Sequence, residues 1–253
     1  MLLLIDAGNT RIKWALAETG SAPGDWLASG AAVHAELAQL APAWSRALAG
    51  GTLSRVLVSN VAGPAMRTRL EQLLRGYPQQ GSVGWFASLP RLAGVRNGYR
   101  NPAQLGCDRF AAAIGAHALA PGQPVIVANC GTATTIDAVS ADGHFVGGMI
   151  LPGLQLMASS LARNTAQLPQ IAYQAALPTG FADNTDDAIL SGCLAAQAGA
   201  IERAVAAHNA GACILSGGAA PHIAAALTVA HRLVDNIVMI GLHAATVDGG
   251  GVC

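Results

Sequence analysis

The N-terminal stretch, residues 1–17, contains side chains suited to binding a phosphorylated ligand. The apolar run Leu2–Ile5 ends in Asp6. Gly8 comes next, followed by an amide, a hydroxyl and a cation, which are Asn9, Thr10 and Lys13. A carboxylate can hold a phosphate-bound metal ion, and a glycine lets backbone N–H groups approach the phosphate. The stretch therefore predicts a metal-phosphate site at the end of a buried strand.

An ordinary β-hairpin also explains these residues. After the turn, Ile12, Trp14 and Leu16 alternate with Arg11, Lys13 and Ala15, which predicts a second strand antiparallel to the first. Aspartate and asparagine tolerate turn geometry, and a lysine on a strand is often solvated. Taken alone, the motif leaves both interpretations open.

A second candidate group lies around the segment GCDR at 106–109. Asp108 and Arg109 open an alanine-rich helix predicted to reach about Ala118, and Tyr99 lies in the loop before it. Each residue has a structural explanation: Asp108 as a helix cap, Arg109 as a surface ion-pair partner and Tyr99 as a half-buried aromatic. Without further information, these residue types favour structural roles.

The opening pattern occurs a second time. Val125–Ala128 is another apolar run, and it leads into Asn129-Cys130-Gly131-Thr132 and a returning strand. IDAGNTRIKWAL and VANCGTATTIDAV thus share an apolar strand, a small polar residue, a glycine and a hydroxyl. Turn chemistry is a weaker explanation for two copies than for one. The repeat favours two duplicated domains whose phosphate-binding hairpins face one cleft.

The remaining elements predict an α/β protein. The first half follows the order β-β-β-α-β-α-β, which indicates a mixed sheet flanked by helices. The linker candidate Pro121-Gly122 supports an N-terminal domain at 1–118 and a C-terminal domain at 119–253. In the second half we expect a long helix at Asp186–His208 with Thr185 as its N-cap, and a last strand at Leu233–Ile240.

Composition limits the possible partners. The chain of 253 residues has fourteen basic and fourteen acidic residues, so its formal net charge is zero. This balance argues against a dedicated nucleic-acid-binding protein. Charged residues make up only 11% of the chain, which leaves little polar surface to cover a monomer. We therefore expect an apolar subunit interface.

Location is also constrained by the sequence. The opening apolar run is broken at Asp6, and no apolar run is long enough to cross a membrane. The five cysteines are odd in number and lack a CxxC pair, which is typical of free thiols in a reducing compartment. We expect a cytoplasmic protein without a membrane partner.

The motifs DAGNT, GCDR, GTATTID and SGGAA, in this order, resemble those of type III pantothenate kinases. This family belongs to the superfamily of acetate kinase, sugar kinases, heat-shock chaperones and actin. The resemblance implies an α/β fold of two duplicated RNase H-like domains, with mixed sheets flanked by helices and a ligand cleft between them. It also implies ATP-dependent phosphorylation of pantothenate to 4'-phosphopantothenate, the first step of coenzyme A synthesis.

The same resemblance implies roles for individual residues. Asp6 is expected to hold the Mg²⁺ of ATP, and Asp108 is expected to accept the proton of the pantothenate hydroxyl. The ATP phosphates are expected to contact Gly8, Asn9, Thr10, Lys13 and Thr132. The expected pantothenate pocket consists of Tyr99, Gly106, Cys107, Asp108, Arg109 and Thr185.

One position departs from the family pattern. Many family members have aspartate where this chain has Asn129, and that aspartate helps to bind an activating monovalent cation. Losing a full negative charge is expected to weaken the binding of K⁺ or NH₄⁺ at Asn129. The resemblance also implies a homodimer with pantothenate near the subunit interface.

Two other functions compete with this interpretation. The first is a kinase for another small hydroxylated substrate, which GCDR and Tyr99 disfavour. The second is an accessory transcriptional regulator that retains the kinase fold. The neutral charge and the presence of both Asp6 and Asp108 disfavour regulation as the primary role.

Overall fold

A computed structural model describes residues 1–76, 83–171 and 177–247 of the chain. The chain divides into two compact units. The first unit contains Met1–Ala118 and the chain from Val238 onward, and the second contains Leu119–Ile237. The predicted domains, 1–118 and 119–253, stay a prediction. The units share the first boundary, but the described residues from Val238 onward lie with the first unit.

The first unit is built on a five-stranded mixed sheet. Its strands lie in the order β3-β2-β1-β4-β5. They are β1 (Leu2–Ala7), β2 (Arg11–Ala17), β3 (Ala28–Val33), β4 (Arg55–Asn60) and β5 (Val83–Trp85). β1 pairs antiparallel with β2 and parallel with β4. Because β1 is central in the sheet, its apolar residues are fully buried, as the opening run predicted.

Helices and a short hairpin complete this unit. The helices are α1 (Leu40–Leu48), α2 (Pro64–Leu74) and α3 (Cys107–Leu119), and the hairpin joins β6 (Arg91–Leu92) to β7 (Val95–Asn97). Two short 3₁₀ helices cover His34–Gln39 and Pro102–Gln104. The predicted order β-β-β-α-β-α-β is confirmed. Trp44 of α1 and Leu70 of α2 are buried in a core with Ile5 and Val58 of the sheet.

The second unit repeats this topology. Its strands are β8 (Val125–Cys130), β9 (Ala133–Val139), β10 (His144–Pro152), β11 (Ala212–Ser216) and β12 (Arg232–Leu233). β8 pairs antiparallel with β9 and parallel with β11, while β10 pairs with β9 and β12 with β11. The order is therefore β10-β9-β8-β11-β12, which matches β3-β2-β1-β4-β5 element by element.

The helices that follow in the chain are α4 (Leu154–Asn164), α5 (Thr185–His208), α6 (Ala220–Ala224) and α7 (Ile237–Val247). In the described part of the chain, no helix is both long and apolar enough to cross a membrane.

Two local predictions were wrong. Asn184, not Thr185, caps α5: its side chain accepts a hydrogen bond from the Asp187 N–H, and Thr185 is the first helical residue. The expected strand Leu233–Ile240 is a strand only at its first residue, and from Ile237 the chain is the helix α7. Its run of apolar residues does not distinguish a buried strand from a buried helix, because both environments select the same residue types.

Helix α7 packs closely against α3 at Gly241. A Cβ at this position would collide with the carbonyl oxygen of Ala111 and lie 2.5 Å from its carbonyl carbon. The absence of a side chain at Gly241 therefore allows the two helix backbones to approach each other.

Replacing Gly241 by alanine is expected to destabilise the protein by about 1–3 kcal/mol, because neither backbone can move without disturbing the core. The matched control is Gly199→Ala on α5, where a Cβ would meet nothing within 4 Å. Gly199→Ala is expected to stabilise by up to about 1 kcal/mol. Urea unfolding measures both, and equal stability of the two variants would contradict the close packing at Gly241.

Candidate active site

Asp6 lies near the end of β1, between two polar neighbours. In the sheet register it is opposite Lys13 of β2 and Ser59 of β4. Its Oδ1 atom is buried and has no hydrogen-bond partner among the described residues. Burial raises the pKa of Asp6 to about 7, and the charge of Asp108 adds to this rise, while Lys13 and a hydrogen bond from Ser59 oppose it.

A buried carboxylate oxygen without a partner calls for an explanation, since such groups are normally satisfied. A hard cation such as Mg²⁺ binds to carboxylate oxygens and is often held by one or two of them together with phosphate oxygens. The Asp6 carboxylate fits this kind of ligand.

The turn between β1 and β2 carries the other residues of the opening motif. Its backbone closes through the Gly8 N–H, which donates to the Arg11 carbonyl oxygen over 3.0 Å. Asn9 and Thr10 are exposed at its tip. The structure adds His34, whose Nε2–H donates to the Gly8 carbonyl oxygen over 2.8 Å. His34 follows β3 directly, so the sequence showed no sign of this contact across the sheet.

Asp108 lies in the first turn of α3 with its carboxylate folded back onto the helix start. Its Oδ1 accepts a hydrogen bond from the Arg109 backbone N–H over 2.8 Å. A Cβ at Gly106 would lie 2.7 Å from the same oxygen, so a side chain there would displace the carboxylate from this position. Burial raises the pKa of Asp108, and its hydrogen bond with Arg109 and the charge of Arg109 oppose the rise.

Arg109 is not the surface ion-pair partner that its residue type suggested. The residue is buried, and its Nη1 donates to the Tyr99 hydroxyl over 2.8 Å. The guanidinium carbon also lies 5.7 Å from the centre of the Tyr99 ring. Two residues ten positions apart are therefore joined beside Asp108, which favours a common site over separate structural roles.

Cys107 precedes Asp108 in α3 and contacts the end of β4, the strand that pairs with β1. Its Sγ lies 3.5 Å from the Ser59 hydroxyl and 3.7 Å from the Asn60 carbonyl oxygen. Burial raises the pKa of the thiol, and the charges of Asp108 and Asp6 contribute to the rise. Within the first unit, Asp6, Ser59, Cys107 and Asp108 thus form one partly buried acidic cluster.

The second polar turn belongs to the second unit and follows β8. Asn129 is opposite Thr135 of β9 and Ser216 of β11, which is the position that Asp6 has in the first sheet. Thr132 is exposed in the turn after Gly131, whose N–H donates to the Ala133 carbonyl oxygen over 3.0 Å.

Two glycines allow neighbouring backbone segments to pack closely against this turn. A Cβ at Gly153 would lie 2.5 Å from the Thr132 carbonyl oxygen, and a Cβ at Gly217 would lie 2.5 Å from that of Cys130. Gly217 also has a positive φ of 95°. The glycine pair at 217–218 belongs to the motif SGGAA, whereas no pattern in the sequence links Gly153 to the second turn.

Thr185 lies elsewhere in the second unit. It lines a mostly apolar pocket of about 470 Å³ between α4 and α5, with Met157, Leu161 and Ile189 among the other lining residues. Ser59 is the main site residue that the sequence undervalued. In the sequence it directly follows the apolar run 56–58, but its contact with Asp6 depends on the pairing of β1 with β4.

The sequence comparisons decide the family. The family model of type III pantothenate kinase matches residues 2–207. The chain belongs to the type III pantothenate kinase family. It is 60% identical over 256 residues to the type III pantothenate kinase of Herminiimonas arsenicoxydans, and the alignment covers 98% of each protein. The predicted family is thereby confirmed, and the protein is a kinase.

Solved structures with low sequence identity confirm the fold class. A Baf family transcriptional activator from Campylobacter jejuni is 17% identical, has a TM-score of 0.64 and aligns over 98% of both chains. A 2-dehydro-3-deoxygalactonokinase from Sinorhizobium meliloti is 15% identical, has a TM-score of 0.58 and aligns over 97% of this chain and 98% of its own. The kinase therefore shares the α/β fold of these two structures, with two mixed sheets flanked by helices.

The raised pKa of Asp6 predicts a pH-dependent cost in stability. Between about pH 4 and pH 7 the folded carboxyl keeps a proton that the unfolded chain has lost, so stability falls as the pH rises through this range. Asp6→Asn is therefore expected to be more stable than the wild type at about pH 8 without divalent ions, by up to about 4 kcal/mol.

Thermal unfolding at about pH 5 and about pH 8 measures this difference, which is expected to be clearly smaller at the lower pH. A difference of the same size at both pH values would show that the Asp6 pKa is not raised by burial. Asp235→Asn, at an exposed position, serves as the control and is expected to change little at either pH.

Proposed function

We propose that this kinase transfers the γ-phosphoryl group of ATP to the primary hydroxyl of pantothenate, which is the first step of coenzyme A synthesis. The observation that carries the proposal is the pair of carboxylates in the first unit. Asp6 has an unpartnered, buried oxygen, and Asp108 interacts electrostatically with it from the start of α3. Phosphoryl transfer to an alcohol needs a metal-binding carboxylate and a proton acceptor, and it depends mainly on positioning and charge neutralisation.

The nucleotide side of the reaction is assigned to the turn after β1. Asp6 holds the Mg²⁺ of ATP, which neutralises charge on the phosphate oxygens when it is bound. Gly8, Asn9 and Thr10 contact the phosphates from the turn, and Lys13 adds a positive charge opposite Asp6. The bond from His34 to the Gly8 carbonyl oxygen keeps the turn in one conformation.

The acceptor side is assigned to the start of α3. Asp108 takes the proton from the pantothenate hydroxyl, and its raised pKa brings it closer to the working pH of a general base. Arg109 pairs with the pantothenate carboxylate, and Tyr99 orients the guanidinium through its hydroxyl. Gly106 and Cys107 line the same pocket beside Asp108.

The second unit contributes three further residues to the proposal. Thr132 contacts a phosphate of ATP from the turn after β8, and Thr185 lines the pantothenate pocket. Asn129 takes the position of a monovalent-cation ligand, although its amide lacks the charge of a carboxylate.

We also propose a homodimeric, cytoplasmic enzyme without a nucleic-acid or membrane partner. The low charge content supports a dimer, as do three exposed apolar side chains on β10. Val146, Met149 and Ile150 are exposed by 52%, 43% and 64%. A subunit contact would remove apolar side chains such as these from water.

The decisive experiment is an assay of pantothenate phosphorylation by the purified protein with ATP and Mg²⁺, with and without K⁺ or NH₄⁺. We expect 4'-phosphopantothenate as the product. If no product forms under any condition, pantothenate is not the acceptor. A panel of sugars and small hydroxy acids then tests another kinase substrate, and a DNA-binding assay tests the regulatory alternative.

Asp108→Asn is expected to lower kcat by about 10²–10⁴-fold, because the amide cannot accept the hydroxyl proton. ATP binding is expected to stay within about twofold of the wild type, since Asp108 belongs to the acceptor side. Steady-state kinetics and an ATP titration measure the two effects. The exposed Asp235→Asn is the control, and near-normal turnover of Asp108→Asn would exclude Asp108 as the base.

Asn129→Asp is expected to strengthen activation by K⁺. A full negative charge at this position is expected to lower the K⁺ concentration for half-maximal activation by about tenfold or more. Turnover is measured across a K⁺ series with choline chloride holding the ionic strength constant. The same K⁺ dependence in both proteins would show that residue 129 does not bind the cation.

A further inference from the structure

Gln197 is a fully buried polar residue in the second unit. It lies on α5, and its exposure is 0%. Its neighbours in the core include Leu194 and Ile201 of the same helix. A buried amide is costly unless it makes hydrogen bonds. Gln197 Nε2 donates to the Pro152 carbonyl oxygen over 2.7 Å and also lies 3.1 Å from the Met157 sulfur.

The Pro152 carbonyl belongs to a peptide group that makes a second contact. The N–H of the same peptide, on Gly153, donates to the Thr132 carbonyl oxygen over 2.9 Å. Because a peptide group is planar, fixing its carbonyl direction also fixes its N–H direction. The two hydrogen bonds run in series, so each polarises the peptide in favour of the other.

Gly153 allows this peptide to lie close to the second turn. It has no Cβ, which allows the close approach to Gly131 and Thr132. Gly153 is the N-cap of α4 in an extended conformation, and a residue without a side chain restricts the direction of the preceding peptide less than other residues do. Without the Gln197 donor, the direction of this peptide is set only by the strand pairing of Pro152 with Ala133 and by the hydrogen bond from Gly153 to Thr132.

We propose that Gln197 is a positioning residue for the second phosphate turn, Cys130–Thr132, and acts on it through the Pro152-Gly153 peptide. The inference rests on the proposed function, in which Thr132 contacts the phosphates of ATP. Gln197 contacts the Pro152 carbonyl oxygen from the core, and its effect on the turn is transmitted through this single peptide group.

The test variant is Gln197→Met, which keeps the size of the side chain and removes the donor. ATP affinity is measured in the absence of pantothenate, and KM is measured separately for ATP and for pantothenate. We expect the Kd and KM for ATP to rise about tenfold, with the KM for pantothenate within about twofold of the wild type. The matched control is Gln155→Met on α4, an exposed glutamine near the same peptide, which is expected to behave like the wild type.

A folded Gln197→Met protein with wild-type affinity for ATP would overturn the proposal. An equal rise in both KM values would also overturn it, because a general loss of structure does not select one substrate. If wild-type protein binds ATP but does not phosphorylate pantothenate, the proposed function fails, and the Kd comparison still decides the role of Gln197. A wild-type protein that binds no nucleotide overturns both.

Hydrogen exchange on the wild type provides a test that does not depend on the folding of a variant. Addition of ATP is expected to slow exchange in the segment 129–135 and, together with it, in the segment 150–157, which contains the Gly153 N–H. Protection of 129–135 without any change in 150–157 would show that the turn is held independently of the Pro152-Gly153 peptide and would overturn the proposal.

Discussion

The structure of the candidate site depends on the burial of one carboxylate at the end of a central strand. Burial destabilises the charged form of Asp6, and the chain offsets only part of this cost through Lys13 and Ser59, its two neighbours in the sheet. One oxygen remains without a hydrogen bond among the described residues. A group in this state is ready to bind a cation, and its cost in the free protein is consistent with a functional rather than a stabilising role.

Asp108 lies in the same partly buried environment, but different groups offset the cost of burying its charge. Its carboxylate lies at the start of a helix, where backbone N–H groups favour negative charge. Gly106 provides the space, and Arg109 contributes both a backbone N–H and a positive charge. The two acids therefore interact with each other, but different neighbours stabilise their charged forms: Lys13 and Ser59 for Asp6, and Arg109 for Asp108. Separate compensation suits two carboxylates with different tasks, one for a metal ion and one for a proton.

The turn after β1 and the turn after β8 are similar, but different groups hold them in place. Asp6 and Asn129 have the same place in their sheets, and each is opposite a buried serine, Ser59 or Ser216. In each unit the residue after the third strand contacts the turn between the first two strands: His34 through its ring, and Gly153 through its backbone. The first turn thus depends on a side chain and the second on the close approach of two backbones. Only the first of these two positions carries an acid, Asp6, which is the proposed metal-binding residue.

The amino-acid sequence by itself determined the family, the order of the main elements and the positions of the polar turns. These properties follow from short-range patterns: apolar runs that end in small polar residues, repeated at a distance along the chain. It failed at Leu233–Ile240, where residues of similar hydropathy form a helix, and at Thr185, where the neighbouring Asn184 forms the cap. In both places the same residue types suit two alternative local structures.

Only the tertiary structure decided which side chains act together. Arg109 changed from an expected surface residue to a buried partner of Tyr99, and Ser59 was brought next to Asp6. Gln197 is separated in sequence from the turn it is proposed to position, and its effect depends on one peptide group. Such contacts depend on strand register and helix packing, which the pattern of residue types along a single chain does not specify.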